Sequence, residues 1–174
     1  MSRHFYPKCR FFRIFAFTLN YMKYTIILIF TLLPLFASAA IPELEALCDK
    51  YDKHRQVKCD NVGRLMLRTY AAFLPKADKP VFQSLDNITM LECRDAKLSE
   101  AIKREVEATL ASLGIAKSGT EEVEGVVTDV YMVRRGDVIL ELISIATKDG
   151  CLQLSLLSGE MTEANLAKLA KMKP

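Results

Sequence analysis

The sequence predicts an α+β fold, in which an antiparallel sheet of about four strands carries helices mainly on one face and a C-terminal helix ends the chain. Apolar residues recur at intervals of three or four in the first half, as in helices that bury one side. After residue 120 the interval changes to two, as in strands with one buried face. Asp149-Gly150 between two such segments is a strong hairpin signal.

Two helices are expected at the start of the folded region. The first covers residues 42–53, and its apolar side consists of Leu44, Leu47, Cys48 and Tyr51. An extended link over residues 56–59 leads to Asp60 or Asn61, either of which suits the N-cap of a second helix. This helix runs to about Phe73. Its apolar side is interpreted as core and consists of Val62, Leu65, Met66, Thr69, Tyr70 and Phe73.

A loop, a strand and the clearest helix follow. Residues 75–80 contain prolines at both ends and are assigned to a loop. A strand is then marked by Phe82, Leu85, Ile88, Met90 and Leu91. Residues 95–113 place apolar side chains on one side and charges on the other, which predicts a long helix that Gly114 ends. Residues 117–120 are interpreted as a linker.

Three consecutive strands and a short helix complete the predicted fold. The strands cover residues 123–134, 138–147 and 151–158, and Gly159 is expected to end the last one. The tripeptide Arg135-Gly136-Asp137 is read by some adhesion receptors, but its glycine and aspartate are typical of a hairpin turn. Thr162 suits the N-cap of the C-terminal helix.

The first 39 residues predict a signal peptide. Residues 24–36 are apolar and uncharged, Lys23 precedes them, and Ala37-Ser38-Ala39 forms a cleavage signal before Ala40. The apolar segment is shorter than the ~20 residues that a membrane-spanning helix needs. Met22 is an alternative start of the chain, and an uncleaved N-terminal anchor is the alternative fate of this segment. Residues 40–174 are then a single exported domain, periplasmic or secreted.

The positive charge of the chain belongs to the predicted signal peptide. The chain has 24 Lys and Arg and 21 Asp and Glu, and residues 1–39 hold five of the basic residues and no acidic one. The remainder has 24 − 5 = 19 basic against 21 acidic residues, or a net charge of −2. The sequence therefore gives no support to nucleic-acid binding, and membrane contact is expected only through the signal segment.

Four cysteines of the predicted mature domain are disulfide candidates: Cys48, Cys59, Cys93 and Cys151. Three connectivities are open, and so is the alternative in which these residues are small buried side chains with free thiols. His54 is the single histidine of the mature domain, and the cysteines lack the close spacing of a zinc site. We expect neither a metal nor a cofactor.

The sequence contains no recognisable catalytic arrangement. Asp129 and Glu141 are candidates for a pair of carboxylates on neighbouring strands, a pair that could perform acid–base chemistry. No serine lies in a Gly-x-Ser-x-Gly sequence, and no glycine-rich loop could hold a phosphate. We therefore expect the protein not to be an enzyme.

The mature region resembles a family of small exported proteins of Gram-negative bacteria. The similar segments are Asp49-Lys50-Tyr51, Leu65-Met66-Leu67, Leu85-Asp86-Asn87-Ile88 and Leu157-Ser158-Gly159-Glu160-Met161. On these residues it is similar to the domain-of-unknown-function 4252 family. The resemblance implies export and an α+β fold, and it implies no activity, cofactor or catalytic residue.

These observations favour a non-catalytic binding or interaction module of the cell envelope. Its partner would be an envelope protein or another extracytoplasmic component, bound through the sheet or a helix surface. The alternative functions are a carrier of a small ligand or lipid, and a small hydrolase that uses the carboxylates of the last strands.

Overall fold

A computed structural model of the chain describes residues 41–169, which form five helices and six strands. In chain order these are α1 (Pro42–Tyr51), β1 (Val57–Gly63), α2 (Arg64–Phe73), α3 (Lys79–Gln83), β2 (Leu85–Cys93), α4 (Ala96–Ser112), β3 (Lys117–Val123), β4 (Val126–Arg135), β5 (Val138–Lys148), β6 (Cys151–Met161) and α5 (Glu163–Leu169). The predicted signal peptide, with Met22 and the cleavage site between Ala39 and Ala40, lies outside the described residues.

The strands form one antiparallel sheet in the order β1-β2-β6-β5-β4-β3. Strands β3 to β6 follow one another through two-residue turns. Asp149 and Gly150 have φ values of 49° and 76°, as a type I′ hairpin turn requires, so the predicted hairpin is confirmed. Arg135 pairs with Val138 across the turn at Gly136, which confirms the turn predicted there.

The structure confirms the α+β class, the antiparallel sheet and the C-terminal helix, but the number of strands predicted, about four, is too low. The two missed strands are β1 and β3, which lie at the edges of the six-stranded sheet. β1 replaces the predicted extended link and helix start, and β3 replaces the predicted linker. Most side chains of β3 are exposed, so this strand has none of the apolar alternation that reveals a half-buried strand.

The prediction that helices pack mainly on one face of the sheet is also wrong. On one face, Leu91, Ile145 and Leu154 form a core with α1 and α4. On the other face, Ile88 and Leu157 form a second core with α2, α3 and α5. Neighbouring residues of a strand point to opposite faces, so the odd spacing between residues 88 and 91 places these two cores on opposite sides. We call them the α1/α4 face and the α2/α5 face.

The ends of several elements are set by local chemistry. Asp95 is the N-cap of α4, and its carboxylate accepts a hydrogen bond from the backbone N–H of Leu98 at 2.8 Å. Thr162 caps α5 by accepting from the N–H of Asn165 at 3.2 Å, as predicted. Gly159 does not end the last strand, because β6 continues through it to Met161.

Candidate functional site

The two predicted carboxylates lie on the same face of the sheet but do not form a pair. Asp129 on β4 is opposite Ile145 of β5, whereas Glu141 of β5 is opposite Val133. Four residues of β5 therefore separate the two positions, or about 13 Å along a strand. This corrects the expectation that Asp129 and Glu141 are cross-strand neighbours.

Asp129 is the centre of a buried ion cluster. Its carboxylate accepts hydrogen bonds from Lys117 Nζ at 2.8 Å and Thr120 Oγ1 at 2.6 Å, and it pairs with Lys103 Nζ at 3.2 Å. Burial alone would raise the pKa of Asp129, but these three partners outweigh burial and lower the pKa below its ordinary value. These contacts join α4 to β3 and β4, and they occupy the carboxylate of Asp129.

Glu141 has the opposite environment. It is 6% exposed, and within residues 41–169 its carboxyl group makes neither a hydrogen bond nor an ion pair. Burial raises the pKa of Glu141 to about 8, and the negative charges of Glu45 and Asp86 raise it further in the same direction. The carboxyl group is therefore largely protonated at neutral pH.

A row of polar side chains surrounds Glu141 on the α1/α4 face. Asn87 of β2 pairs with Ser158 of β6, and Ser158 pairs with Glu141, so neighbouring members are about 5 Å apart. The register of both strand pairs shifts at this point, and such bulges are frequent beside functional sites. Asn87 Nδ2 donates to the Glu45 carboxylate, while its buried Oδ1 has no hydrogen-bond partner among residues 41–169.

Ser158 and Glu141 are the hydroxyl and carboxyl groups at the centre of the polar row. In the described part of the chain the single histidine is His54, which is exposed in the turn after α1, 5.9 Å from the ring of Tyr51 between centroids. Ser158 is buried, and the titratable side chain paired with it across the sheet is Glu141, whose raised pKa keeps its carboxyl group largely protonated at neutral pH. This arrangement does not activate a serine as a nucleophile.

Three of the four candidate disulfide cysteines have free thiols in the structure: Cys48, Cys59 and Cys93. Cys59 on β1 contacts Cys48 on α1, where its thiol donates to the Cys48 backbone oxygen at 3.7 Å. Cys93 is buried at the end of β2 and donates to the backbone oxygen of Asp95 at 3.6 Å. Cys151, at the start of β6, is buried on the α2/α5 face. The oxidation of these residues in solution stays a prediction.

Most of the exposed large apolar side chains of the described domain lie on α2. Five large apolar side chains in residues 41–169 are exposed, and four of them belong to this helix: Leu65 (82%), Met66 (64%), Tyr70 (54%) and Phe73 (84%). At about 100° per residue, these four positions lie within an arc of about 140° on one side of the helix. We call this arc the α2 surface.

The sequence predicts these four residues as part of the core, and their exposure shows that this prediction is wrong. The residues that α2 buries are Leu67 and Ala71, and Leu67 packs against the core of the α2/α5 face. Val62 is not in the helix at all, because β1 continues to Gly63. Both sides of α2 carry apolar residues, so hydrophobic spacing alone could not decide which side faces the sheet.

The α2 surface is held in place at both ends of the helix. Tyr70 packs edge-to-face against Phe82 of α3, with ring centroids 5.2 Å apart. Arg64 pairs with Asp86 of β2 at 3.0 Å. Arg68 is exposed, and it lies beside the apolar arc. The α2 surface is therefore a fixed apolar patch with arginine at its edge.

Comparison with protein-family models, curated proteins and solved structures finds no match to this chain. The resemblance to the domain-of-unknown-function 4252 family accordingly stays a prediction.

In residues 41–169, no helix combines the length and the apolar character needed to cross a membrane.

Proposed function

We propose that this protein is a non-catalytic interaction module of the cell envelope, and that it binds a protein partner through the α2 surface. The observation that carries the proposal is the exposure of Leu65, Met66, Tyr70 and Phe73 on one side of a single helix. Soluble domains rarely expose a contiguous apolar patch of this kind unless it binds something. Outside α2, Leu113 is the one large apolar side chain of the described domain that is exposed, at 41%, which sets the α2 surface apart within it.

The composition of the α2 surface favours a protein over a lipid surface. Tyrosine, phenylalanine, methionine and arginine are enriched at protein–protein interfaces, whereas lysine is depleted there. Helix α2 carries all four enriched types, and its two cations are both arginines, Arg64 and Arg68. Methionine also adapts its shape to a partner, because its side chain is unbranched and flexible. A complementary partner would present an apolar groove with carboxylates at its rim.

The proposal places the mature domain outside the cytoplasm, in the periplasm or secreted. The apolar segment at residues 24–36 and the small residues before Ala40 support export. The net charge of −2 for the remaining chain fits a partner recognised by shape and apolar contact rather than by strong charge.

The hydrolase alternative has no support from the carboxylates. Asp129 is held by Lys103, Lys117 and Thr120, and Glu141 lies about 13 Å away along the sheet. A carboxylate with three fixed partners is a poor general base, because taking up a proton would break these contacts. No second candidate function is therefore proposed.

The proposal predicts site-specific cross-linking to a discrete protein. A photo-reactive phenylalanine derivative at position 73 of the full chain, expressed in the cells that produce it, should give one defined protein adduct. The same derivative at Glu100, an exposed position on α4, is the matched control and should give none. The double variant Leu65→Ala/Met66→Ala should remove the adduct formed at position 73.

The affinity of the purified partner for the wild type and for Phe73→Ala then tests whether the α2 surface binds it. Truncation of a central apolar contact typically weakens an interface by about 2 kcal/mol or more, so Phe73→Ala should weaken binding by about 30-fold. Adducts with phospholipid alone would instead assign the α2 surface to a membrane. Equal cross-linking from positions 73 and 100, or unchanged affinity of Phe73→Ala, would contradict the proposal.

A further inference from the structure

Cys48 and Cys59 lie against each other where α1 crosses the edge of the sheet. Cys48 is on the buried side of α1, and Cys59 is on β1 opposite Leu91. The thiol of Cys59 lies 3.7 Å from the backbone oxygen of Cys48 and donates to it. Both residues pack into the core of the α1/α4 face.

The register of the sheet excludes Cys93 as the disulfide partner of Cys59. Cys93 pairs with Val57, two residues along β1 from Cys59, so Cys59 and Cys93 are diagonal neighbours on the same face. Diagonal positions are about 7–8 Å apart, beyond the range of roughly 4.4–6.8 Å between Cα atoms that a disulfide bridges. Cys48 approaches Cys59 from α1, and its backbone oxygen lies 3.7 Å from the Cys59 thiol.

We propose that Cys48 and Cys59 form a disulfide that fastens α1 to β1 in the exported protein. The bond forms by thiol–disulfide exchange with a disulfide oxidant, such as an oxidoreductase or oxidised glutathione. The two thiols lose two protons and two electrons as the S–S bond forms, and the oxidant disulfide is reduced to two thiols. The proposal depends on export, because thiols stay reduced in the cytosol, and it does not depend on the α2 surface.

The environment of the two thiols favours bond formation during folding rather than in the finished fold. Burial raises the pKa of Cys48, and burial together with the contact from Cys48 raises the pKa of Cys59. Few thiolates therefore exist in the reduced native state, and thiolates are the species that attack a disulfide. The pair accordingly has the character of a structural cross-link and not of a catalytic redox couple.

The cross-link would constrain a short segment of the chain. Cys48 and Cys59 are 11 residues apart, and the segment between them includes the exposed turn over residues 52–56. A disulfide stabilises mainly by restricting the unfolded chain, and a loop of this size should raise Tm by roughly 5–10 °C. The first helix would be held to the edge strand even when the turn moves.

Peptide mapping tests the proposal. The exported protein is collected from producing cells with thiols blocked by alkylation, and the full chain is separately refolded in a mixture of oxidised and reduced glutathione. Trypsin cleaves after Lys50 and after Lys58, so Cys48 and Cys59 are on different peptides. Without reductant, the two peptides should appear as one linked species in both samples.

Variants connect the linked species to stability. Cys59→Ser and Cys48→Ala should each abolish the linked peptide. Each should also reduce the decrease in Tm that reductant causes, because the Cys48–Cys59 disulfide is no longer there to be broken. Cys93→Ser should leave both the linked peptide and the Tm decrease unchanged. Alkylation of both thiols in the refolded protein, or linkage of Cys48 to Cys93, would overturn the proposal. If the linked peptide appears in the refolded sample but not in the protein collected from cells, the claim that the exported protein carries this disulfide is wrong. Because α2 lies on the opposite face of the sheet, each of these results is independent of partner binding.

Discussion

Replacement of Gly159 by alanine is expected to lower the free energy of unfolding by about 3–5 kcal/mol, or to prevent folding. Gly159 has a φ value of 148°, in a region that side-chain-bearing residues rarely adopt. A Cβ atom at this position would lie 2.2 Å from the backbone oxygen of Ser84 and 2.8 Å from Cα of Leu85. Both obstacles are backbone atoms, so they cannot rotate away as a side chain would.

The effect of this substitution tests the close approach of β6 to the start of β2. Gly159 lets β6 approach the junction between α3 and β2, where the register of the β2–β6 pair shifts. Urea denaturation of the variant measures the loss. Gly119→Ala is the matched control, since Gly119 is also in a strand but a Cβ there meets nothing within 4 Å. The control should change the free energy of unfolding by less than about 1 kcal/mol; equal stabilities of the two variants would contradict the close approach at Gly159.

Glu141→Gln should stabilise the protein at alkaline pH and leave it nearly unchanged in acid. The ordinary pKa of a glutamate is 4.5, and the folded protein raises the pKa of Glu141 to about 8. Between these values the folded state binds a proton that the unfolded state has lost. The free energy of unfolding of the wild type therefore falls as pH rises from about 4.5 to 8, and the contribution of Glu141 is constant above that range.

The size of the effect follows from the separation of the two pKa values. Each pKa unit corresponds to about 1.4 kcal/mol, so the glutamine variant should exceed the wild type by about 2–5 kcal/mol at pH ~8.5. At pH ~5 both proteins have a neutral side chain at this position, and they should agree within about 1 kcal/mol. Urea denaturation at both pH values measures the difference.

Glu122→Gln is the control for this experiment, because Glu122 is an exposed carboxylate on β3. Because this side chain is exposed, its substitution should change the free energy of unfolding by less than about 0.5 kcal/mol. A Glu141→Gln variant that is no more stable than the wild type at alkaline pH would show that the carboxylate is solvated or paired in solution.

The elements that the sequence reveals are those whose signal is local. α4 combines helical spacing with the cap at Asp95, and the hairpin at Asp149-Gly150 needs only its two turn residues. The edge strand β3 has a usable signal that was missed, because Glu124-Gly125 has φ values of 51° and 75° and forms a hairpin turn like that at Asp149-Gly150. The strand predicted over residues 123–134 instead runs through this turn.

The candidate site depends on tertiary contacts and is correspondingly harder to predict. Glu141 and Asp129 look alike in sequence, yet Glu141 is buried and makes no hydrogen bond or ion pair within residues 41–169. Asp129 is enclosed by lysines from α4 and β3. The contact between Cys48 and Cys59 arises only because α1 folds back over β1. The sequence predicts the exposed side of α2 as core, because more large apolar residues lie on that side than on the side of Leu67 and Ala71.

The most direct test of the account is the stability of alanine variants on the two sides of α2. If the α2 surface is a binding surface, Leu65→Ala and Phe73→Ala should each change the free energy of unfolding by less than about 0.5 kcal/mol. Leu67→Ala, on the buried side of the same helix, should cost about 2–4 kcal/mol. Losses of about 2 kcal/mol or more for Leu65→Ala and Phe73→Ala, with little effect of Leu67→Ala, would show that the outward side is core and would contradict the account.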